Sequence, residues 1–273
     1  MVTLRRKIAC LVLAVSVSTI PLIGPFGSVH AAITVVQSKG DCTAGNFSST
    51  TCTFPSNVTP GNVVAACGAI WNGGNMTGQA LTDTVLTDYT EVVGVNPPAG
   101  TPNKTWIAYG VVPSSGANTV TQAPAGGTGW FGSWGIVELS GVDTSSPIDV
   151  DGLNLTGNST APSDSITTSA ADAIVLACMS HGGGAITITA DTGGGWTALG
   201  EIEGTSNAPY AWEYQIFSSA GAKTAYFAIG ASVGWTVQTL SLKQSSATVT
   251  QPIFRRGFSI PGMNSTGLGG PLP

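Results

Sequence analysis

Charge is what this chain has least of. Among 273 residues only 8% are Asp, Glu, Lys or Arg, nine bases against fourteen acids. A surface for nucleic acid or anionic lipid needs clustered Lys and Arg, so both partners are excluded as readings. Low charge here is not disorder, because 42% of residues are hydrophobic. Histidine is nearly absent, with two in all, His30 and His181. That leaves little for zinc or for a nucleophile–histidine triad. Helical periodicity is also missing. Short apolar runs alternate with Gly, Pro, Asn and Ser clusters, the pattern of strands and turns.

What is present begins with an export signal over residues 1–31. Arg5-Arg6-Lys7 form a basic start, residues 8–23 are apolar, and Val29-His30-Ala31 offers small residues for cleavage after Ala31 or Ala32. A membrane anchor is the alternative, but the run is short and contains Ser and Pro. Removing the signal takes three of the nine bases, leaving 6 − 14 = −8. The expected location is secreted, extracellular or at the cell surface, with no membrane span in the mature form.

Four cysteines then remain, Cys42, Cys52, Cys67 and Cys178. An even number in an exported chain favours disulfides. Cys42 and Cys52 flank a polar turn and are expected to pair. Cys67 and Cys178 are either a second bridge or two buried thiols.

The chain repeats itself. Val63-Val64-Ala65-Ala66-Cys67 returns as Ile174-Val175-Leu176-Ala177-Cys178, Tyr109 as Tyr214, and Trp134 to Ser140 as Trp235 to Ser241. The offsets are 178 − 67 = 111, 214 − 109 = 105 and 235 − 134 = 101. The expected fold is all-β, an antiparallel β-sandwich or jelly roll built by internal duplication, with copy one at 32–146 and copy two at 147–246. Two tandem immunoglobulin-like domains are the alternative, each copy being near the ~100 residues such a domain needs. Val63–Ile70 and Ile174–Met179 are apolar on both faces and read as central, doubly covered strands. The Trp106/Ala108 face and its counterpart, Glu213/Gln215, read as outward, the second facing solvent. Residues 247–273, rich in Gly, Pro and Ser, read as an extended tail.

No constellation carries a reaction. His181-Gly182-Gly183-Gly184 resembles an oxyanion segment but lacks a nucleophile elbow, so it reads as a turn. Glu138 lies mid-strand and is the best single candidate for a glycoside hydrolase carboxylate, which needs a second one across a cleft. Otherwise it is a structural hydrogen-bond acceptor. Asp143, Asp149 and Asp151 are a weak calcium candidate, against the turn-forming use of Asp. No cofactor is expected. Trp106, Trp130 and Trp196 lack aromatic counterparts in the other copy and could stack on sugar rings, as could Trp71. Seven Asn-x-Ser/Thr sequons occur, including Asn57 and Asn103.

The segment Leu139-Ser140-Gly141-Val142-Asp143-Thr144-Ser145-Ser146-Pro147-Ile148-Asp149-Val150, with Val58-Thr59-Pro60-Gly61-Asn62-Val63-Val64 and Ser115-Gly116-Ala117-Asn118-Thr119-Val120, resembles Gly/Thr-rich β-sandwich segments of exported bacterial and phage tail-associated proteins. The resemblance covers residues 33–243 and implies an all-β module at a surface or on a particle, with no catalytic residue to carry over. The expected function is non-enzymatic: surface adhesion or carbohydrate binding, with a glycan or cell-surface component as partner. The alternative is a structural subunit that assembles with copies of itself through edge strands and the 247–273 tail. A glycoside hydrolase is third.

Overall fold

The computed structural model describes residues 31–71, 79–85, 87–92, 103–124, 130–152, 154–190, 193–203 and 208–246. Residues 1–30, where the export signal is expected, and the 247–273 tail lie outside these residues, and of Trp130 only the backbone is described. Among the described residues there is no helix.

The first half contains β1 (Thr34–Phe47), β2 (Thr50–Thr53), β3 (Val63–Trp71), β4 (Gln79–Asp83), β5 (Thr90–Val92), β6 (Lys104–Val111), β7 (Thr119–Pro124) and β8 (Trp130–Ser140). The second contains β9 (Ile148–Asp151), β10 (Leu155–Ser159), β11 (Ser163–Thr168), β12 (Ala173–His181), β13 (Ile188–Thr189), β14 (Thr197–Ile202), β15 (Tyr210–Phe217), β16 (Gly221–Tyr226), β17 (Ala228–Ile229) and β18 (Val233–Leu242). One large sheet runs β1-β8-β3-β6-β5 and the other β10-β18-β12-β15-β14, with β9 also on β18. The order is the same with β3 matched to β12, β6 to β15 and β8 to β18. All pairings are antiparallel.

Alternation along β3 explains why it is apolar throughout. Val63, Ala65, Cys67 and Ala69 point into a core shared with Ile174, Leu176 and Cys178 of β12, Trp212 of β15 and Leu240 of β18. Val64, Ala66 and Ile70 point the other way, into a second core with Trp106, Trp134 and Ile136. That core is closed by a small β2-β7-β4 sheet through Cys52, Leu81 and Val120. The second half is covered likewise by the β11-β16 and β13-β17 pairs, through Ile166, Ala225 and Ile229. The sandwich is therefore four layers deep, with the two large sheets inside.

Both disulfides are formed. Cys42–Cys52 ties β1 to β2 (Cα–Cα 5.6 Å). Cys67–Cys178 joins the two central strands through the shared core (Cα–Cα 6.1 Å), with both residues fully buried. The matched cysteines are thus a bridge and not two thiols.

The repeat is offset in one respect. Cys67 pairs with Ile107 and Gly135, and Cys178 with Trp212 and Gln238. The offset 212 − 107 = 105 agrees with the Tyr109/Tyr214 match, but 238 − 135 = 103 differs by two from the 101 of Trp134/Trp235. One edge of the second sheet has slid by two residues. An even slide keeps every side chain on its face, so Trp134 and Trp235 both stay in outer cores.

At the β1–β14 edge the sheets meet backbone to backbone. A Cβ on Gly40 would lie 1.9 Å from the Leu199 carbonyl, and one on Gly200 2.2 Å from that of Gly40. Tyr210 Oη donates to the Gly40 carbonyl at 2.5 Å. Burial first, and the charge of Asp41 second, push this phenol well above its usual pKa, so it stays a donor.

Candidate functional site

Two of the candidate carboxylates, Glu138 and Asp149, serve one structural device, used once per half. Glu138 is fully buried. Its Oε1 accepts the backbone N–H of Thr59 (2.8 Å) and Asn62 Nδ2 (2.6 Å), and its Oε2 accepts Gln37 Nε2 (2.6 Å). It therefore fastens the turn that leads into β3. In the second half the residue equivalent to Thr59 is Ala170 (59 + 111). Its N–H is accepted by Asp149 Oδ1 at 3.0 Å, and the Ser169 N–H by Asp149 Oδ2 at 3.0 Å. By strand register Ser241 stands where Glu138 does, and Ser241 Oγ donates to Asp149 Oδ2 at 3.1 Å. The same clamp is thus built with the carboxylate on β8 in one half and on β9 in the other.

The carboxylate oxygens of Glu138 and Asp149 are thus engaged by donors of the protein itself. Asp149 is occupied by donors from the 169–170 turn and from Ser241 of β18. Asp143 closes a local turn through the N–H groups of Ser145 and Ser146, whose bonds, led by that of Ser145 Oγ, hold its carboxyl below the usual range. Asp151 is raised by partial burial. Among the described residues no group of three or more His, Cys, Asp or Glu is arranged to hold a metal ion.

Two tryptophan expectations are corrected. Trp106 is not on an open face. It is fully buried, tilted at 44° against Trp134 with centroids 6.2 Å apart. Trp196 is 4% exposed and packs edge-on to Phe217. Nor does the Glu213 face meet solvent. Glu213 is fully buried, and its Oε1 accepts the Tyr226 N–H of β16 at 3.3 Å, because the outer strands cover that face. The Trp130 side chain lies outside the described residues.

Trp71 is different. Of the six tryptophans whose side chains are described, the other five are at most 7% exposed and Trp71 is 38% exposed. It ends β3, pairs with Phe131 of β8, and packs against that ring, tilted by 42° with centroids 5.5 Å apart. Its counterparts are Gly182 (71 + 111) and Gly234, whose carbonyl accepts the Gly182 N–H at 2.8 Å. One half presents two aromatic rings where the other presents two glycines. The signal for this pair was in the sequence, in the absence of an aromatic partner for Trp71. Its position at a strand end, beyond the stacked sheets, was not.

The same end holds His181, last in β12. It is 1% exposed, and its Gly-rich continuation is a turn, as expected. Asn103, just before β6, donates Nδ2 to the His181 carbonyl (2.6 Å) and Ser180 Oγ (3.1 Å). Since Lys104 pairs with Ile70, this contact sets the ends of β3 and β12 side by side. Asn103 is also a sequon residue, and at 5% exposure it is closed to a glycan.

The remaining surface offers less. Edge strand β1 breaks register at Val35/Gln37, Lys39/Cys42 and Ala44/Phe47, and such bulges discourage pairing with another chain. A recess of about 260 Å³ is lined by Ala170, Ala171, Asp172, Lys243, Gln244 and Ser246, at the opposite end from Trp71. Among the described residues no helix is long and apolar enough to cross a membrane. No family model, curated protein or solved structure matches this chain.

Proposed function

We propose that this chain is a secreted, non-enzymatic adhesion module that binds glycan by stacking sugar rings on Trp71 and Phe131. The observation that carries the reading is the exposed Trp71 beside the half-buried Phe131, a pair present in one half only. A sugar's C–H face can cover an aromatic ring while its hydroxyls keep hydrogen bonds to water. Two disulfides suit an oxidising, extracellular setting. Glu138, used as a buried clamp, gives a hydrolytic mechanism no support. The irregular β1 edge likewise gives edge-strand assembly none.

The test is retention of the protein, starting at Ala32, on insoluble polysaccharides: cellulose, chitin and bacterial cell wall. Burying most of an aromatic face is worth about 1.5–3 kcal/mol, so Trp71→Ala should weaken retention roughly tenfold to a hundredfold in protein that thermal melting shows to be folded at the assay temperature. Tyr226→Ala, at another exposed aromatic (47%), should do nothing. Equal retention of all three proteins, or none by the unmutated protein, removes the reading.

A further inference from the structure

A free sheet edge recruits another strand unless something blunts it. On the two large sheets, β1, β5 and β14 are blunted. β1 breaks register three times, and β14 breaks it at Ala198/Gly200 and carries Glu201. β5 is three residues long, with Glu91 at its centre. β10 is different. Leu155-Thr156-Gly157-Asn158-Ser159 pairs with β18 at five consecutive positions without a break, and holds no charge and no proline. Its outward side has no backbone partner among the described residues. Leu155 is 45% exposed there.

The chain itself holds a segment suited to that edge. After Ser246 comes Ala247-Thr248-Val249-Thr250-Gln251-Pro252-Ile253-Phe254, with several strand-favouring residues, and then Arg255-Arg256. All fourteen acids lie within 32–246 against four bases, 4 − 14 = −10, whereas 247–273 holds two arginines and no acid. Asp151, exposed at the end of β9, lies just ahead of β10. Laid antiparallel on β10, with Thr248 opposite Ser159 and Pro252 opposite Leu155, the segment brings Arg255-Arg256 level with Asp151. Laid parallel in the same place, it carries them past Ser159 and away from that carboxylate.

Reach decides which copy supplies the strand. Ser159 is opposite Val233, at the start of β18. Leu242, at its other end, is 242 − 233 = 9 residues away, about 30 Å of strand. The chain is still at that far end at Ser245, whose N–H donates to the Gly141 carbonyl. From Ser246 to Thr248 it extends at most about 7 Å. Thr248 therefore cannot lie beside Ser159 of its own chain.

We propose that β10 is a docking edge for the 247–256 segment of a second copy of this chain. The segment adds as an antiparallel strand, covers Leu155 and sets Arg255 or Arg256 against Asp151. Addition stops at one strand, because Pro252 and the two arginines blunt the new edge.

The test is sedimentation equilibrium of the chain from Ala32 to Pro273 over a range of protein and salt concentrations. The unmutated protein should associate, and less so at high salt. Leu155→Lys should weaken association roughly tenfold, since the apolar cover is lost. Asp151→Arg should weaken it as well, and Arg255→Asp/Arg256→Asp should restore association to the Asp151→Arg chain. A monomer at every concentration overturns the proposal, including one whose tail lies on its own β10. Association that neither Leu155→Lys nor Asp151→Arg weakens overturns it too, as does a loss in Asp151→Arg that the tail exchange leaves unrepaired. If Leu155→Lys does not fold, the charge exchange decides between the same outcomes.

Discussion

Breaking the bridge between the halves should cost far more stability than breaking the local one. Cys67–Cys178 spans 111 residues and Cys42–Cys52 spans 10. In the chain-entropy model the closed loop removes about 2.1 + 1.5R ln n cal/mol/K from the unfolded ensemble. At 298 K this gives about 4.8 kcal/mol for the long loop and about 2.7 kcal/mol for the short one. Replacing Cys67 and Cys178 together by Ala also removes two sulfur atoms from the shared core, which adds to the loss. For a chain of this size each kcal/mol moves the melting temperature by roughly 2–4 °C. Cys67→Ala/Cys178→Ala should therefore melt about 10–20 °C lower, and Cys42→Ala/Cys52→Ala about 5–11 °C lower. Calorimetry on the two double variants, with thiol titration of the unmutated protein, is the assay. Equal or reversed losses would refute the reasoning, and so would any free thiol in the native protein that starts at Ala32.

The clamp makes a paired prediction. Glu138→Ala strands the Thr59 N–H and Asn62 Nδ2, while Gln37 Nε2 keeps the Ser56 and Asn57 carbonyls, and should cost about 3–5 kcal/mol; Asp149→Ala should be comparably harmful, each read by urea denaturation. A loss below about 1 kcal/mol for either would mean that its carboxylate does not hold the turn. Gly40→Ala, which drives a methyl into the Leu199 carbonyl, should destabilise strongly, whereas Gly184→Ala, with open space around it, should have little effect. Burial raises the Asp164 carboxyl, so its contribution is fully present below the unfolded value and is lost as pH rises through the folded one. Asp164→Asn should flatten that part of the stability profile. An unchanged profile would place the effect elsewhere.

The two central strands and the Cys42–Cys52 bridge were legible in the sequence for a physical reason, and the Cys67–Cys178 bridge was one of two readings the sequence left open. A strand buried on both faces has no polar alternation, and cysteines at matching places meet when matching strands stack. The outer strands of the second half were legible as strands, but not as a layer that covers the Glu213 face. Its strands are short and polar, as the burial of Ser163–Thr168 alternates residue by residue, so Glu213 beneath them reads as solvent-facing. Trp106 was misplaced by the same logic, because an outer core and an open face share one alternation. The two-residue slide of β18 is invisible to pattern, since period two is preserved under any even shift. The kinship of Glu138 and Asp149 was hidden because the carboxylate changes strand between halves. What the repeat did reveal was where to look: Trp71 stands out only against its glycine counterpart.

Recognition through Trp71 is tested most directly by acrylamide quenching of tryptophan fluorescence, with and without a soluble fragment of the retained polysaccharide. In a Trp130→Phe background the account predicts a quenchable component that the fragment protects and that disappears on adding Trp71→Phe, since the other five described tryptophan side chains are buried. Quenching and protection that persist unchanged on that addition would contradict it.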